Sequence, residues 1–257
     1  MVIVTSIRQK LILPLVALAS VMIISGCATP EGISGSGGYG YVNLTSTVLQ
    51  DIHVSDVHVR RVRYNHIDNP YYHQPCAGRL YFDTVEISGG INRDTSFIVG
   101  KMLQDISEEM TCSPRRDTPP TEVFMNSGGG LLYDGFAIGE QIRWHRADTY
   151  VIGQQFCASS CAVAFLGGVD RAMVLGGQLL FHAPYYYEQN STTNQIRINC
   201  TDNATNNDLK RYYQQMLGEQ NGGRLFERTM QYCSTDDGWM MNEQAALLYG
   251  ITTRSID

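Results

Sequence analysis

Strand-like and helix-like patterns alternate from Arg79 to the C-terminus, and this alternation restricts the fold more than any other feature of the chain. Four short apolar runs are typical of buried strands: "RLYFDTVEI", "TEVFMN", "TYVIGQ" and "GGQLLFHAP". Helices are predicted for "SFIVGKMLQDISEEM", "LLYDGFAIGEQIRWHR", "CAVAFLGG", "NDLKRYYQQMLGEQN" and "NEQAALLYGI". The buried face of the first helix is predicted to carry Phe97, Ile98, Met102, Leu103 and Ile106. Because parallel strands need such crossover connections, the pattern predicts an α/β fold with a mainly parallel sheet.

The first 26 residues have the pattern of an export signal. Arg8 and Lys10 precede an apolar run, Leu11–Ile24, that is too short for a membrane-spanning helix. The run ends in "ISGC", and small residues before a cysteine favour a lipoprotein signal in which Cys27 is lipidated and becomes the first mature residue. An ordinary secretory signal is the alternative, and both predict export. Ala28 after the cysteine favours a periplasm-facing lipoprotein of the outer membrane in a two-membrane bacterium.

The chain is predicted to have three parts. Residues 1–26 form the signal peptide, residues 27–77 a lipid-anchored tether and N-terminal extension, and residues 78–257 the α/β domain. The tether contains the Gly/Ser-rich stretch "ATPEGISGSGGYGY", which is typical of a flexible linker. The extension contains "IHVSDVHVRRVR", which predicts an exposed strand whose basic cluster, residues 60–63, forms a solvated edge.

Export affects how the cysteines are interpreted. Six remain after Cys27 is set aside: Cys76, Cys112, Cys157, Cys161, Cys200 and Cys233. An even number in an oxidising compartment predicts disulfides, with about 15 connectivities open. A zinc site is disfavoured because the chain has neither a CxxC pair nor histidines clustered with the cysteines, so no metal and no cofactor is predicted.

Charge disfavours nucleic acid as a partner. The leader holds two basic and no acidic residues, so its removal lowers the formal net charge from −6 to −8. A net negative surface repels phosphate backbones and anionic lipid headgroups.

Three segments fall at the carboxyl ends of predicted strands. "NSGGG" and "CASSC" each follow a strand and begin a helix, and His182 ends the fourth strand. Sites in open α/β sheets form at this edge, so the three segments are predicted to share one crevice. Glycine-rich turns can offer backbone N–H groups to an oxyanion, serine can act as a nucleophile and histidine as its base. Each feature alone also has a structural explanation, such as a helix cap for the serine.

These segments together resemble the Clp protease proteolytic subunit family and its relatives in the wider Clp/crotonase fold. "FMNSGGGLLYDGFAIGEQIR" resembles the family's strand, Asn-Ser-Pro-Gly-Gly turn and helix, with Gly128 in the proline position. "FCASSCAVAFLGG" resembles its Ala-Ala-Ser-Met-Gly nucleophile turn, and "GGQLLFHAP" its strand ending at the catalytic histidine. "RLYFDTVEISGGINRDTSFIVGKMLQDI" is similar to its opening strand and helix. The resemblance covers Arg79 to the C-terminus and implies a spiral of βαβ units.

The register of the resemblance implies particular site residues. The separation of 29 positions between Gly130 and Ser159 reproduces the family spacing without a gap, and Gly168 matches the glycine that closes the family helix. Ser160 would need a one-residue shift on both sides. The resemblance therefore implies Ser159 as nucleophile, His182 as base, and the N–H groups of Gly130 and Ser160 as oxyanion donors.

The position of the triad acid is less well defined. A gapless alignment places Gly238 there, and a one-residue shift selects Asp237, which we favour; Asp236 or no acid at all remain the alternatives. A Ser/Lys dyad is disfavoured because the mature chain has only Lys101 and Lys210, both on predicted helices away from the crevice.

The resemblance implies an exported, membrane-tethered serine peptidase that hydrolyses peptides through a Ser/His(/Asp) acyl-enzyme. Its partners would be a peptide or protein substrate, the lipid anchor and, since members of this fold often assemble, further copies of the chain. The alternative is a catalytically inactive protein of the same fold that binds peptides or partners. An acyl-CoA enzyme is disfavoured by the Ser/His pair and by export.

Cys157 and Cys161 flank Ser159, and we predict a disulfide between them. Residues four apart in a helix have Cβ atoms about 5–6 Å apart, whereas a disulfide needs roughly 3.5–4.5 Å. The bond therefore requires a non-helical Cys157, with two buried thiols as the alternative.

Overall fold

The computed structural model describes residues 44–66, 81–109, 121–174, 176–191, 193–234 and 236–254. The predicted signal peptide, Cys27, the Gly/Ser-rich tether, Cys76 and Cys112 lie outside the described residues. The strands are β1 (Leu44–Val54), β2 (Val57–His66), β3 (Tyr81–Ile91), β4 (Glu122–Gly130), β5 (Asp148–Ile152), β6 (Phe156–Ala158), β7 (Arg171–Val174), β8 (Gln178–Phe181), β9 (Tyr186–Gln189), β10 (Ile196–Asn199) and β11 (Trp239–Met241). The helices are α1 (Arg93–Glu109), α2 (Leu132–Trp144), α3 (Ser160–Phe165), α4 (Asn203–Leu217), α5 (Glu219–Thr229) and α6 (Glu243–Leu248).

A nine-stranded sheet organises the described residues and confirms the predicted α/β class. Its main path runs β1-β2-β3-β4-β6-β8-β11, and β5 pairs with β4 and with β7. The pairings from β3 through β8 are parallel, while the β1–β2, β2–β3 and β8–β11 pairings are antiparallel. β4 pairs with β5 through its first residues and with β6 through Ser127, so the sheet divides along β4. This division carries β6 and β8 to the end of β4, where the predicted site lies.

The β1–β2 hairpin belongs to the same sheet, and the prediction of a solvated strand edge at residues 60–63 was wrong. β2 lies between β1 and β3, with nine residues paired to β3 from Val57↔Gly89 to Asn65↔Tyr81. The side chain of Arg61 is only 3% exposed and forms ion pairs with Asp83 and Glu109. A buried guanidinium needs such carboxylate partners, and strand β3 and helix α1 supply them only in the folded protein.

Helices α1, α2 and α3 cover the parallel strands. Asn92 caps α1 through its Oδ1, which accepts the N–H groups of Asp94 and Thr95 at 2.9 and 3.1 Å. The predicted buried face of α1 is present except at Phe97, which is 74% exposed. α3 is buried along its whole length, which explains its run of small and apolar residues. None of the described helices combines the length and apolar character that a membrane crossing requires.

The helix predicted near residues 207–221 is two helices, α4 and α5. They are separated by Gly218, whose φ of +82° favours glycine and interrupts the helical backbone. Cys200 before α4 and Cys233 after α5 form a disulfide with a Cα–Cα distance of 5.9 Å. The bond therefore links the segment before α4 to the segment after α5, which leads into the loop that precedes β11.

Candidate active site

The carboxyl ends of β4, β6 and β8 lie side by side. β6 pairs with β8 in parallel through Ala158↔Leu180, and the N–H of Ser159 donates to Leu180 O at 2.8 Å. His182 follows the last residue of β8. The predicted nucleophile and base are therefore placed at adjacent strand ends, as strand pairing in a parallel sheet requires.

Ser159 occupies a strained backbone conformation between β6 and α3. Its φ and ψ are 56° and −126°, a region in which side-chain-bearing residues are rare. Such a conformation costs about 1–3 kcal/mol and is found preferentially at functional sites. A strand-to-helix turn of this kind presents the serine side chain away from the helix, and the Ser159 side chain caps no backbone N–H of α3.

The last glycines of β4 allow close contact with this turn. A Cβ on Gly129, whose φ is +94°, would lie 2.6 Å from Ala158 O and 2.7 Å from Ser159 Cβ. A Cβ on Gly130 would instead lie 2.1 Å from Ile91 O of β3. Gly129 is therefore the glycine that contacts the Ser159 turn. The predicted oxyanion donor, the N–H of Gly130, lies in the peptide bond between Gly129 and Gly130. Gly128, in the position of the family proline, has no atom within 4 Å of its ideal Cβ.

Two polar side chains that the sequence analysis did not single out order the glycine segment. Ser127 donates its hydroxyl to Gly89 O and accepts the N–H of Gly129 at 3.0 Å. The Oδ1 of Asn126 accepts the N–H of Phe156 at 3.3 Å and so connects β4 to the start of β6. The "NS" before the glycines could have indicated these contacts in the sequence, because short polar side chains favour local hydrogen bonds to the backbone.

The predicted disulfide between Cys157 and Cys161 is confirmed, with a Cα–Cα distance of 5.2 Å. Cys157 lies in β6 and Cys161 in the first turn of α3, so the non-helical position that the bond requires is present. The bond encloses Ala158, Ser159 and Ser160. It therefore holds the two ends of the strained turn together and limits the positions that Ser159 can take.

Ser160 lies on the buried side of the turn. The residue is 1% exposed, and its hydroxyl oxygen has no hydrogen-bond partner in the described part of the chain. Helix α2 packs against it through Gly135, where a Cβ would lie 2.5 Å from Ser160 O. A side chain enclosed in this way cannot reach a substrate carbonyl, whereas Ser159 is partly exposed. Ser160 N–H is the first of the helix, a group that lacks an intrahelical acceptor.

His182 is oriented by a backbone carbonyl. Its Nδ1 lies 2.8 Å from Ala183 O, and because a carbonyl only accepts, Nδ1 carries a proton; in the neutral ring the lone pair is then on Nε2. The ring also lies beside Tyr185, with 5.6 Å between the centroids. Burial raises the pKa of Tyr185, and the carboxylate of Asp236 adds to that effect. No hydrogen bond joins His182 to Ser159 Oγ among the residues that the structure describes; such contacts are often long without substrate.

Asp237 forms no hydrogen bond with His182 in the described part of the chain, although β11 pairs with β8 and so brings its loop to that strand. The Oδ1 of Asp237 accepts the N–H of Gly238 at 2.8 Å, and the N–H groups of Asp236 and Asp237 both donate to Ser234 Oγ. These contacts hold both aspartates in their own exposed turn. At Gly238, the gapless match to the family acid, a Cβ would lie 2.4 Å from Leu180 Cδ2, so a side chain there requires Leu180 to move. Within the described ranges, no carboxylate is hydrogen-bonded to His182.

A cavity of about 330 Å³ adjoins the glycine segment. Its lining is Asp56, Gly89, Gly90, Asn126, Ser127, Gly128, Gly129 and Phe156. Asp56 comes from the turn of the β1–β2 hairpin, where its carbonyl accepts the N–H of Gly90 at 3.1 Å. The sequence analysis assigned this hairpin no part in the site, and only the pairing of β2 with β3 brings it there.

The mainly parallel α/β sheet, with a serine and a histidine after adjacent strands, is that of a Clp/crotonase-like fold. The chain belongs to the Clp protease family, because the family model described as "Clp protease" matches residues 95–256. Among solved structures, a mutant of the 1510-N membrane-bound stomatin-specific protease is similar, with 14% identity and a TM-score of 0.49 over 66% of this chain and 77% of that one. No curated protein matches the chain.

Proposed function

We propose that this protein is an exported, membrane-tethered serine peptidase that uses Ser159 and His182. The observation that carries the proposal is the strained turn at Ser159, placed beside a histidine whose Nδ1–H is held by Ala183 O. Strain at a serine between a strand and a helix is costly and is found preferentially at functional sites, and the Ser159 side chain does not cap α3.

The chemistry would be acyl transfer. Ser159 Oγ attacks the substrate carbonyl while its proton moves to His182 Nε2, and the N–H groups of Gly130 and Ser160 stabilise the oxyanion. The imidazolium then gives the proton to the leaving amine. Water, deprotonated by the same Nε2, hydrolyses the acyl-enzyme and frees Ser159. Ala183 O takes the orienting role that a carboxylate has in a triad, but as a neutral acceptor it stabilises the imidazolium less.

An inactive peptide-binding protein of the same fold is the second candidate. The observation that favours it is the lack of a carboxylate on His182 in the described part of the chain. The cavity beside the glycine segment would serve a binding function equally well.

A fluorophosphonate probe separates the two candidates, because it labels only an activated serine. We expect covalent labelling of wild-type protein at Ser159, found by peptide mass spectrometry. Ser159→Ala should abolish labelling, and His182→Gln should slow it by at least 10²-fold.

Ser160→Ala is the matched control, since it removes the neighbouring hydroxyl but keeps the backbone N–H. It should preserve labelling, and because the lost hydroxyl is buried without a partner, it should leave stability unchanged or raise it by about 1 kcal/mol. An unlabelled but folded wild-type protein would favour the binding protein. Loss of labelling in Ser160→Ala alone would refute the assignment of Ser159.

The export half of the proposal depends on residues 1–27, which lie outside the described residues. The charged and then apolar leader followed by "ISGC" supports lipidation of Cys27. Peptide substrates would then be met on the outer side of the cytoplasmic membrane.

A further inference from the structure

Three metal-ligating side chains meet on one face of the β1–β2 hairpin, although the sequence analysis predicted no metal site. Asp51 and His53 lie two residues apart on β1, and His58 on β2 is the cross-strand partner of His53. Side chains two apart on a strand and directly opposite on its neighbour point to the same face of a sheet. The two imidazole rings accordingly stack, with 3.7 Å between their centroids.

The ligand atoms lie close together, near the spacing that a small divalent ion requires, and one imidazole must rotate out of the stack for both Nε2 atoms to face the same ion. Asp51 Oδ1 lies 2.8 Å from His58 Nε2 and 3.2 Å from His53 Nε2. Two ligands each about 2.0–2.1 Å from a metal, with about 90–110° between the bonds, are themselves about 2.9–3.4 Å apart. The three atoms all lie within 4.8 Å of one another.

Neighbouring side chains orient the three ligand groups. Ser88 Oγ lies 3.4 Å from His58 Nδ1, where it can accept the Nδ1 proton and leave Nε2 as the ligand atom. Arg60, which pairs with Asp51 across the strands, directs its guanidinium to Glu86, where Nε donates at 3.0 Å. Within the described ranges, the carboxylate of Asp51 has its close contacts with the two histidines, while the charge of Arg60 acts on it from a greater distance.

We propose that Asp51, His53 and His58 bind one divalent transition-metal ion of the Zn²⁺ type. Two imidazoles and a carboxylate are ligands that suit zinc or copper, whereas Mg²⁺ and Ca²⁺ prefer oxygen alone. The side chains are 46%, 65% and 30% exposed in that order, so solvent can deliver the ion and complete its coordination. The bound ion joins β1 to β2 just before the turn whose Asp56 lines the cavity, and it stabilises that hairpin.

Isothermal titration of untagged, oxidised protein with ZnCl₂ tests the proposal. We expect a saturable phase with one Zn²⁺ per chain, at least tenfold weaker in His53→Gln and in His58→Gln, and absent in the double variant. Asp51→Asn, which keeps the side-chain shape, should weaken binding by a similar factor. His182→Gln is the matched control and should bind Zn²⁺ as the wild type does, because it removes a histidine outside the cluster.

Thermal unfolding provides a second readout that does not depend on enzymatic activity. At 100-fold excess over Kd, Zn²⁺ should raise the Tm of the wild type by on the order of 5 °C and leave that of the double variant unchanged. Failure of the wild type to bind, or equal binding by the folded double variant, would overturn the proposal. Loss of binding in His182→Gln alone would move the ion to the candidate active site and would also overturn it.

Discussion

At the scale of single residues, the candidate site depends on one close contact. Ser159 can keep its strained backbone because Gly129 places no side chain against it, and a Cβ there would lie 2.7 Å from Ser159 Cβ. The neighbouring Gly128 faces open space. Two adjacent glycines of one motif therefore have different roles.

Gly129→Ala should destabilise the protein by about 2–4 kcal/mol, because it adds a clash to a backbone with positive φ. It should also slow fluorophosphonate labelling of Ser159 at least 10²-fold, since displacement of the turn misplaces the nucleophile. Gly128→Ala is the control and should change stability by less than about 0.5 kcal/mol. Urea unfolding and labelling rates measure both effects, and equal behaviour of the two variants would contradict the assigned contact.

Asp237→Asn should slow labelling of Ser159 by less than about tenfold, because Ala183 O and not this carboxylate holds His182 Nδ1. If an aspartate were the acid of a functioning triad, the same substitution would lower the rate by about 10⁴-fold. Asp236→Asn should behave alike. A drop of several orders of magnitude in either variant would restore that aspartate as the triad acid.

At the scale of the secondary-structure elements, β4 and β5 begin with two opposed carboxylates. Glu122 pairs with Asp148 across the parallel strands. Burial raises the pKa of Glu122 to about 7, Asp148 adds to the effect, and Arg254 opposes it. The folded state thus holds a proton that the unfolded chain releases near pH 4.5. The free energy of unfolding should therefore fall as pH rises from about 4.5 to 7.

Glu122→Gln should remove this pH dependence, because the amide does not ionise. At pH 8 the free energy of unfolding of the variant should exceed that of the wild type by on the order of 1–3 kcal/mol, and at pH 4.5 the two should differ little. Urea unfolding at the two pH values measures the difference. Glu140→Gln, the same substitution on the exposed side of α2, should leave the wild-type pH dependence unchanged; a stabilised Glu140→Gln would show that net charge is responsible.

At the scale of the whole molecule, a buried ion-pair network joins the hairpin to the rest of the sheet. Arg61 and Arg63 of β2 contact Asp83 of β3 and Glu109 at the end of α1. The hydrogen bond from Arg61 lowers the pKa of Glu109 to about 2, with Arg63 adding to the effect. The stabilising contribution of Glu109 is thus present above about pH 4.5 and lost as pH falls toward 2.

Arg61→Met should lower the free energy of unfolding by about 2–4 kcal/mol, because it leaves the buried carboxylate of Asp83 with Arg63 as its remaining arginine partner. Arg60→Met is the matched control on the opposite face of β2. Its pair with Glu86 is partly exposed, with side chains 37% and 28% accessible, so its loss should cost less than about 1 kcal/mol. Chemical unfolding compares the two, and equal costs would mean that the network adds nothing beyond a surface pair.

Cys27→Ala should leave the protein unlipidated and, where no other peptidase processes it, uncleaved. The reason is that the thiol of Cys27 is the only acceptor for the lipid in the predicted signal. Intact-mass measurement of the membrane fraction checks this. A mature wild-type protein with a free thiol at residue 27 would show that the signal is an ordinary secretory one.

Local patterns in the sequence were sufficient for most of the parallel sheet and for the order of the site segments. Strand-type apolar runs, the "NSGGG" and "CASSC" segments, and the spacing of Gly130 and Ser159 are contiguous features. The Cys157–Cys161 bond was also predictable, because four residues between a strand and a helix leave few geometries. The register of the resemblance alone selected Ser159 over Ser160 as the candidate nucleophile, and of the two serines Ser160 is the buried one.

The tertiary structure decided what depends on contacts between distant residues. The sequence predicted Arg61 to be part of an exposed basic cluster, whereas in the structure it is buried against carboxylates from β3 and α1. His53 and His58 become neighbours only through the hairpin register, and Asp56 reaches the cavity only because β2 pairs with β3. The sequence by itself determined the class of fold and which polar side chains follow the strand ends, because both depend on short contiguous segments. Burial and partners followed only from packing, because the energy of a charge depends on which groups the fold places beside it.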